Sequence, residues 1–78
     1  MIRVRYFAAA AEAAGVDEES VTAGTRAELV SVVVGRHGPD LARVLDRCAL
    51  VAEGRRLDGE DAIDDGALVD VLPPFAGG

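Results

Sequence analysis

A chain of 78 residues, half of them hydrophobic, is long enough for one small domain with a single core. The formal net charge of −6 argues against binding to nucleic acid or to an anionic membrane surface, because both require clustered positive charge. The apolar runs are too short for a membrane span, and no signal peptide is recognisable, so we expect a cytoplasmic protein.

The first third of the chain predicts a strand, a short helix and a second strand. Residues 2–6 alternate apolar and charged side chains, as a half-buried strand does, and Phe7 follows on the charged, outer face. The alanine-rich stretch 8–14 predicts a helix that ends at Gly15. Residues 19–23 predict a strand that forms a hairpin with the first.

The middle of the chain predicts the main helix. Thr25 and Glu28 have the spacing of a capping box, in which each side chain bonds a backbone amide at the start of the helix. We expect this helix to run to about Arg36 and to be ended by the glycine and proline that follow His37. Apolar residues at i, i+3 and i+4 predict a second, short helical turn over residues 41–45.

The last part of the chain predicts three strands separated by glycine-containing turns. They cover residues 49–52, 55–57 and 67–72, and we expect the last strand to lie centrally, beside the first. A hairpin, one main helix and a return to a mixed sheet form the β-grasp plan of ubiquitin-like domains. The sequence therefore predicts an α+β fold over residues 1–72, with a mixed sheet of four to five strands, one main helix and short helical turns.

Residues 73–78 predict a flexible Gly-Gly tail on a stiff base. Pro73 and Pro74 fix φ and remove two amide donors, so the strand cannot continue and the base stays extended. Gly77 and Gly78 have no side chains and can enter a narrow channel in another protein. An ionised α-carboxylate is a poor electrophile, so the carboxyl of Gly78 would react only after activation, for example as an acyl-adenylate formed with ATP. Attack by sulfur would then give a thiocarboxylate, and attack by a lysine amine would join two proteins.

The sequence holds no pattern typical of an enzyme active site or a metal site. Cys48 and His37 are the only cysteine and histidine, so neither an internal disulfide nor a cysteine-based metal site can form. We interpret Cys48 as a small buried core residue and His37 as a helix C-terminal residue near the helix dipole. We expect no metal, no bound cofactor and no catalysis by this chain alone.

The whole chain carries a pattern that resembles a known family. The pattern consists of VRYFAAAAEAAG over residues 4–15, the capping-box helix, the turn at residues 64–66 and the ending LPPFAGG. It resembles the MoaD/ThiS group of ubiquitin-like sulfur carriers, and within that group the small subunit of molybdopterin synthase. Its most specific part is the tail, Pro73-Pro74-x-x-Gly77-Gly78. Three positions outside the tail depart from the family pattern: Ala11, Arg26 and Glu53.

The resemblance implies a sulfur carrier that works with three kinds of partner. A ubiquitin-activating-type adenylyltransferase would use ATP to adenylate Gly78, and a sulfurtransferase or cysteine desulfurase system would supply the sulfur of a thiocarboxylate. The tail would then enter the large subunit of molybdopterin synthase, within a heterotetramer, and donate sulfur to cyclic pyranopterin monophosphate in molybdenum cofactor biosynthesis. The partner-binding residues would be exposed apolar residues and the tail beside Gly77 and Gly78: Phe7, Leu57, Leu72, Pro73, Pro74, Phe75 and Ala76.

Three other functions remain open at this point. The same carrier chemistry would also serve thiazole synthesis, cysteine synthesis or tRNA thiolation. A protein modifier would be conjugated to lysines through Gly78, whereas a plain β-grasp interaction domain would have an inert tail. For Phe7, the alternative to a partner contact is packing beneath the short helix of residues 8–14.

Overall fold

The computed structural model describes residues 1–74, so Phe75–Gly78 lie outside the described part of the chain. Five strands and three helices occur within residues 1–74, and their bounds differ from the predicted ones by two residues at most. None of these helices is long and apolar enough to cross a membrane. In chain order the elements are β1 (Ile2–Tyr6), α1 (Ala9–Ala14), β2 (Glu18–Val21), α2 (Arg26–His37), α3 (Pro39–Leu45), β3 (Ala49–Ala52), β4 (Arg55–Leu57) and β5 (Leu68–Leu72).

The strands form one mixed sheet in the order β2-β1-β5-β3-β4. The central pair, β1 and β5, is parallel and aligns Val4 with Val69, whereas the other three pairs are antiparallel. The predicted β-grasp fold is confirmed, as is the central position of the last strand beside the first. The division into a domain over 1–72 and a tail over 73–78 stays a prediction.

Local sequence signals explain where α2 begins and ends. The Thr25 hydroxyl accepts a hydrogen bond from the backbone N–H of Glu28 at 3.1 Å. The Glu28 carboxylate in turn accepts from the N–H of Gly24 at 3.0 Å, one residue earlier than in the usual capping box. Gly38 ends α2 with a φ of 100°, which favours glycine, and Pro39 then begins α3 as its first residue.

The core lies between one face of the sheet and the three helices. Strand β1 alternates buried and exposed residues throughout, so its apolar side chains all point inward. Helices α2 and α3 each contribute two buried side chains that meet this face. The largest fully buried side chains are those of Ile2, Leu29, Leu41, Leu50, Leu57, Val4, Val21, Val33, Val69 and Val71.

The prediction that Leu57 is exposed for a partner is wrong. Its side chain is 1 % exposed and belongs to the core, as does that of its cross-strand neighbour Leu50. Directly opposed residues of an antiparallel pair point to the same side of the sheet, so Leu57 follows Leu50 into the core. Strand β4 has only three residues, and two of them are arginines, so alternation alone gave no indication of which face Leu57 takes.

A polar network links the end of α2 to β1 and β2. One carboxylate oxygen of Glu19 accepts from the Tyr6 hydroxyl at 2.5 Å and lies 2.5 Å from Nε2 of His37. The other oxygen accepts from Arg36 at 2.8 Å. Burial by itself raises the pKa of Glu19, but the three hydrogen bonds outweigh it and hold that pKa below the ordinary value of 4.5. The network therefore ties the end of α2 to the β1–β2 hairpin when Glu19 is ionised.

Replacing Leu57 by alanine should lower the free energy of unfolding by about 2–5 kcal/mol, because it removes buried methyl groups and leaves a cavity. The matched control is Leu68→Ala, since Leu68 is 38 % exposed on the outer face of the sheet. We expect the control to change stability by no more than about 0.5 kcal/mol. Urea denaturation measures both changes, and equal losses would contradict the inward position of Leu57.

The stabilisation that depends on the Glu19 carboxylate should be lost in acid. A carboxyl whose pKa is lowered by folding stabilises the protein above its unfolded-state pKa, near 4.5, and ceases to do so as the pH falls through its folded-state value. The stability advantage of the wild type over Glu19→Gln should shrink as the pH falls below about 4.5. Urea denaturation across that range measures it.

Glu18→Gln is the control for this experiment. Glu18 is the neighbouring carboxylate, but its ion pair with Arg3 is exposed on both sides. Surface ion pairs contribute about 0–1 kcal/mol, so this variant should differ little from the wild type at any pH. A Glu19→Gln difference that stays unchanged down to pH 3 would show that the network does not depend on the charge.

Candidate functional site

The base of the predicted tail leaves the sheet from its central strand. Leu72, the last residue of β5, pairs with Ala49 of β3 and is half-buried rather than exposed as expected. Pro73 is also half-buried, and Pro74 is exposed. The residue from which the tail starts is therefore held in place by the pairing of β5 with its two neighbours, β1 and β3. The predicted site residues Phe75, Ala76, Gly77 and Gly78 lie outside the described residues.

Phe7 lies beside this base on the outer face of the sheet. Its backbone N–H donates to the carbonyl of Val71 at 3.3 Å, which continues the β1–β5 pairing by one residue. The adjacent position on β5 is Leu72, where the tail base begins. The side chain of Phe7 is 38 % exposed, which does not fit the alternative that it packs beneath α1. Ala8, with a φ of 50°, then turns the chain away into α1.

The outer face around Phe7 is charged as well as apolar. The Arg5 guanidinium donates to both oxygens of Asp70, from Nε at 2.7 Å and from Nη2 at 3.0 Å. This hydrogen-bonded carboxylate raises the pKa of Arg5 above its ordinary value. The central carbon of the Arg5 guanidinium lies 5.6 Å from the centre of the Phe7 ring. On the same face, Arg3 pairs with Glu18.

Arg5 and Asp70 were not among the residues that the sequence pointed to. Their pairing depends on the register between two strands that are 65 residues apart, and the alternation of a single strand carries no information about register. The signal that was available is the opposite charge of the outward residues at the middle of the first and last strands. That signal becomes informative once those two strands are taken as neighbours.

A groove of about 680 Å³ lies on the other side of the tail base. Its apolar lining comes from α1, α3 and the two prolines, and its other four lining residues are two aspartates and two arginines. The two prolines of the tail base thus line a groove that also carries side chains of both charges. The residues that line the groove are Ala9, Asp40, Arg43, Val44, Asp46, Arg47, Pro73 and Pro74.

Cys48 and His37, the two side chains considered as candidates for catalysis, both have structural roles in the fold. The thiol of Cys48 is buried and donates to the carbonyl of Val44 at 3.2 Å, and burial raises its pKa, which disfavours the reactive thiolate. His37 ends α2 and contacts Glu19. Within residues 1–74 no group of three or more histidine, cysteine or acidic side chains is arranged to hold a metal ion.

Comparison with known proteins points to one family. The sequence profile of the ThiS family matches residues 4–78, which include the tail. The molybdopterin synthase sulfur carrier subunit of Chlamydomonas reinhardtii is 37% identical to this chain over 82 aligned residues, which cover 99% of this chain and 98% of that protein.

Solved structures with the same fold include two from archaea. SAMP1 of Haloferax volcanii, a small archaeal modifier protein, superposes with a TM-score of 0.82 at 26% identity and covers 99% of this chain and 98% of its own. The putative molybdopterin converting factor, subunit 1, of Pyrococcus furiosus superposes with a TM-score of 0.79 at 28% identity, over 95% of this chain and 97% of its own. Both similarities extend over nearly the whole chain.

Proposed function

This chain belongs to the ThiS family, and we propose that it is a sulfur carrier that acts as the small subunit of a molybdopterin synthase. The observation that carries the proposal is the end-to-end similarity to a molybdopterin synthase sulfur carrier subunit, at 37% identity over 99% of this chain. The structure supports it with a tail base that leaves the centre of the sheet and an exposed aromatic residue beside that base.

The proposed chemistry takes place at the carboxyl group of Gly78. A partner adenylyltransferase would join this carboxylate to the AMP part of ATP, with loss of pyrophosphate, because the ionised carboxylate does not react with nucleophiles. A persulfide on a sulfurtransferase or cysteine desulfurase system would then displace AMP to form an acyl disulfide, and a thiol would cleave the sulfur–sulfur bond, which leaves a thiocarboxylate on Gly78 and a disulfide on the sulfur donor. In the large subunit, the thiocarboxylate would transfer its sulfur to cyclic pyranopterin monophosphate and return to a carboxylate. The role of this chain is to carry the sulfur and to bring it to the right place.

The described residues would contribute binding and positioning. Pro73 and Pro74 keep the start of the tail extended and away from the sheet, since neither can donate to a strand partner. Phe7 and Leu72 offer an apolar surface next to the tail base, where a large subunit that takes up the tail would also touch the domain. Aromatic side chains in such positions often contribute much of the binding energy.

A second candidate function is that of a protein modifier. The similarity to SAMP1 supports it, because that protein is described as a small archaeal modifier protein and has nearly the same fold. A modifier would form an amide between Gly78 and a lysine of another protein. This chain has no lysine of its own, so it would be attached singly rather than in lysine-linked chains. Adducts of this chain with larger proteins in a lysate would favour this function over the carrier function.

A single-turnover assay tests the proposed function directly. The chain, prepared with a thiocarboxylate at Gly78, is mixed with the large subunit of molybdopterin synthase and cyclic pyranopterin monophosphate. We expect molybdopterin to form while Gly78 returns to a carboxylate, which mass spectrometry detects. A chain that lacks Gly77 and Gly78 should fold normally but should not accept sulfur from the activating system, whereas the control Leu68→Ala, an exposed position outside the tail, should accept it.

Two results would contradict this proposal. The first is the absence of molybdopterin when the same large subunit is active with another small subunit, which would indicate a different sulfur acceptor such as that of thiazole, cysteine or tRNA thiolation. The second is sulfur transfer by the chain without Gly77 and Gly78, which would remove the tail from the mechanism altogether.

Replacing Phe7 by alanine should weaken binding to the large subunit about tenfold to a hundredfold, because an aromatic anchor beside the tail is lost. We expect Phe75→Ala to weaken it as well. Leu68→Ala is the matched control, since Leu68 has the same 38 % exposure on the same face but begins β5, whereas the tail follows its end. Isothermal titration calorimetry measures the affinities. Equal effects of the Phe7 and Leu68 variants would show that no contact is concentrated at the tail base.

A further inference from the structure

The contacts of Arg5 differ from those of an ordinary surface arginine. Its guanidinium is held by both oxygens of Asp70, at 2.7 and 3.0 Å, and is placed over the Phe7 ring with its central carbon 5.6 Å from the ring centre. A bidentate pair restricts the plane of the guanidinium as well as its position. The side chain is therefore constrained at one end by β5 and faces the aromatic ring with its other surface.

The sheet itself fixes both members of this ion pair. Arg5 and Asp70 are directly aligned across the parallel β1–β5 pair at the centre of the sheet. Asp70 is half-buried, and its other neighbour in the sheet is Val51 of β3. Because strands lie on both sides of Asp70, its carboxylate has little freedom to move away from Arg5. The Arg5 guanidinium is accordingly held by a carboxylate whose position the sheet restricts.

We propose that Arg5 and Asp70 are positioning residues for Phe7, which hold its ring in one orientation beside the tail base and prepare it for docking to the large subunit. The proposal rests on the proposed function for the identity of that partner. An exposed aromatic side chain loses rotational freedom when it enters a pocket, and a ring that is already held loses less. Attraction between a guanidinium and a ring also strengthens when a partner excludes water from both.

Arg3 supplies the matched control for this idea. It lies on the same strand and the same outer face, and it forms an ion pair with Glu18 that also links two strands. Within residues 1–74, the contact between an arginine and an aromatic ring is made by Arg5 alone. A general loss of charge or of cross-strand pairing should therefore affect Arg3→Gln and Arg5→Gln alike, whereas positioning of Phe7 should affect Arg5→Gln only.

The first measurement uses the free chain and requires no partner. Three-bond NMR couplings report the χ1 rotamer of Phe7, and the chemical shift of the Arg5 Nε proton reports the ring above it. We expect one dominant rotamer in the wild type and in Arg3→Gln, and averaged couplings in Arg5→Gln and Asp70→Asn. Arg5→Lys should restore the rotamer only in part, because an ammonium lacks the planar fork. Averaged couplings in the wild type, or unchanged ones in Asp70→Asn, would overturn the proposal.

The second measurement connects positioning to docking. Calorimetry with the large subunit should show Arg5→Gln binding about fivefold to thirtyfold more weakly than the wild type. In a Phe7→Leu background the same substitution should have almost no effect. Loss of affinity that is the same in both backgrounds, or normal affinity of Arg5→Gln, would overturn the docking role. A wild type that does not bind the large subunit at all would instead refute the proposed function, which is a distinguishable result.

Discussion

The parallel pairing of β1 with β5 is the constraint on which the other features of this protein depend. It joins the first and last strands at the centre of the sheet and buries Val4 and Val69 completely. Because the two strands run in the same direction, the residues that follow them emerge at the same edge of the sheet. Phe7 follows β1 and Pro73 follows β5, so the exposed aromatic residue and the tail base become neighbours as a direct result of the topology.

The β1–β5 pair presents apolar side chains on the inner face of the sheet and charged side chains on the outer face. On the inner face, apolar side chains from both strands enter the core, and loss of water-exposed apolar surface stabilises the fold. On the outer face, the aligned residues are Arg5 and Asp70, which form an ion pair in contact with Phe7. Residues that are buried in the core and residues that are exposed on the outer face therefore alternate along one backbone.

Sequence reasoning succeeded where a signal was local. Alternation in residues 2–6, the capping box of Thr25 and the glycine that follows α1 each depend on neighbours within a few positions, and each predicted its element. It failed at Leu57, because a strand of three residues gives no period to follow and its facing was set by Leu50 on the next strand.

The pairing of Arg5 with Asp70 could not be predicted for a related reason: it depends on register across the sheet. The same holds for the contact of His37 with Glu19, which joins a helix end to an edge strand 18 residues away.

Under the proposed function, the absence of lysine, which is visible in the sequence alone, has a chemical consequence. An activated carboxyl group reacts readily with amines, and this chain has no lysine that would capture its own tail. All eight of its basic side chains are arginines, which stay protonated and are not nucleophilic at neutral pH. The outer face can thus carry positive charge beside Phe7 without any lysine ε-amino group that could capture the activated carboxyl.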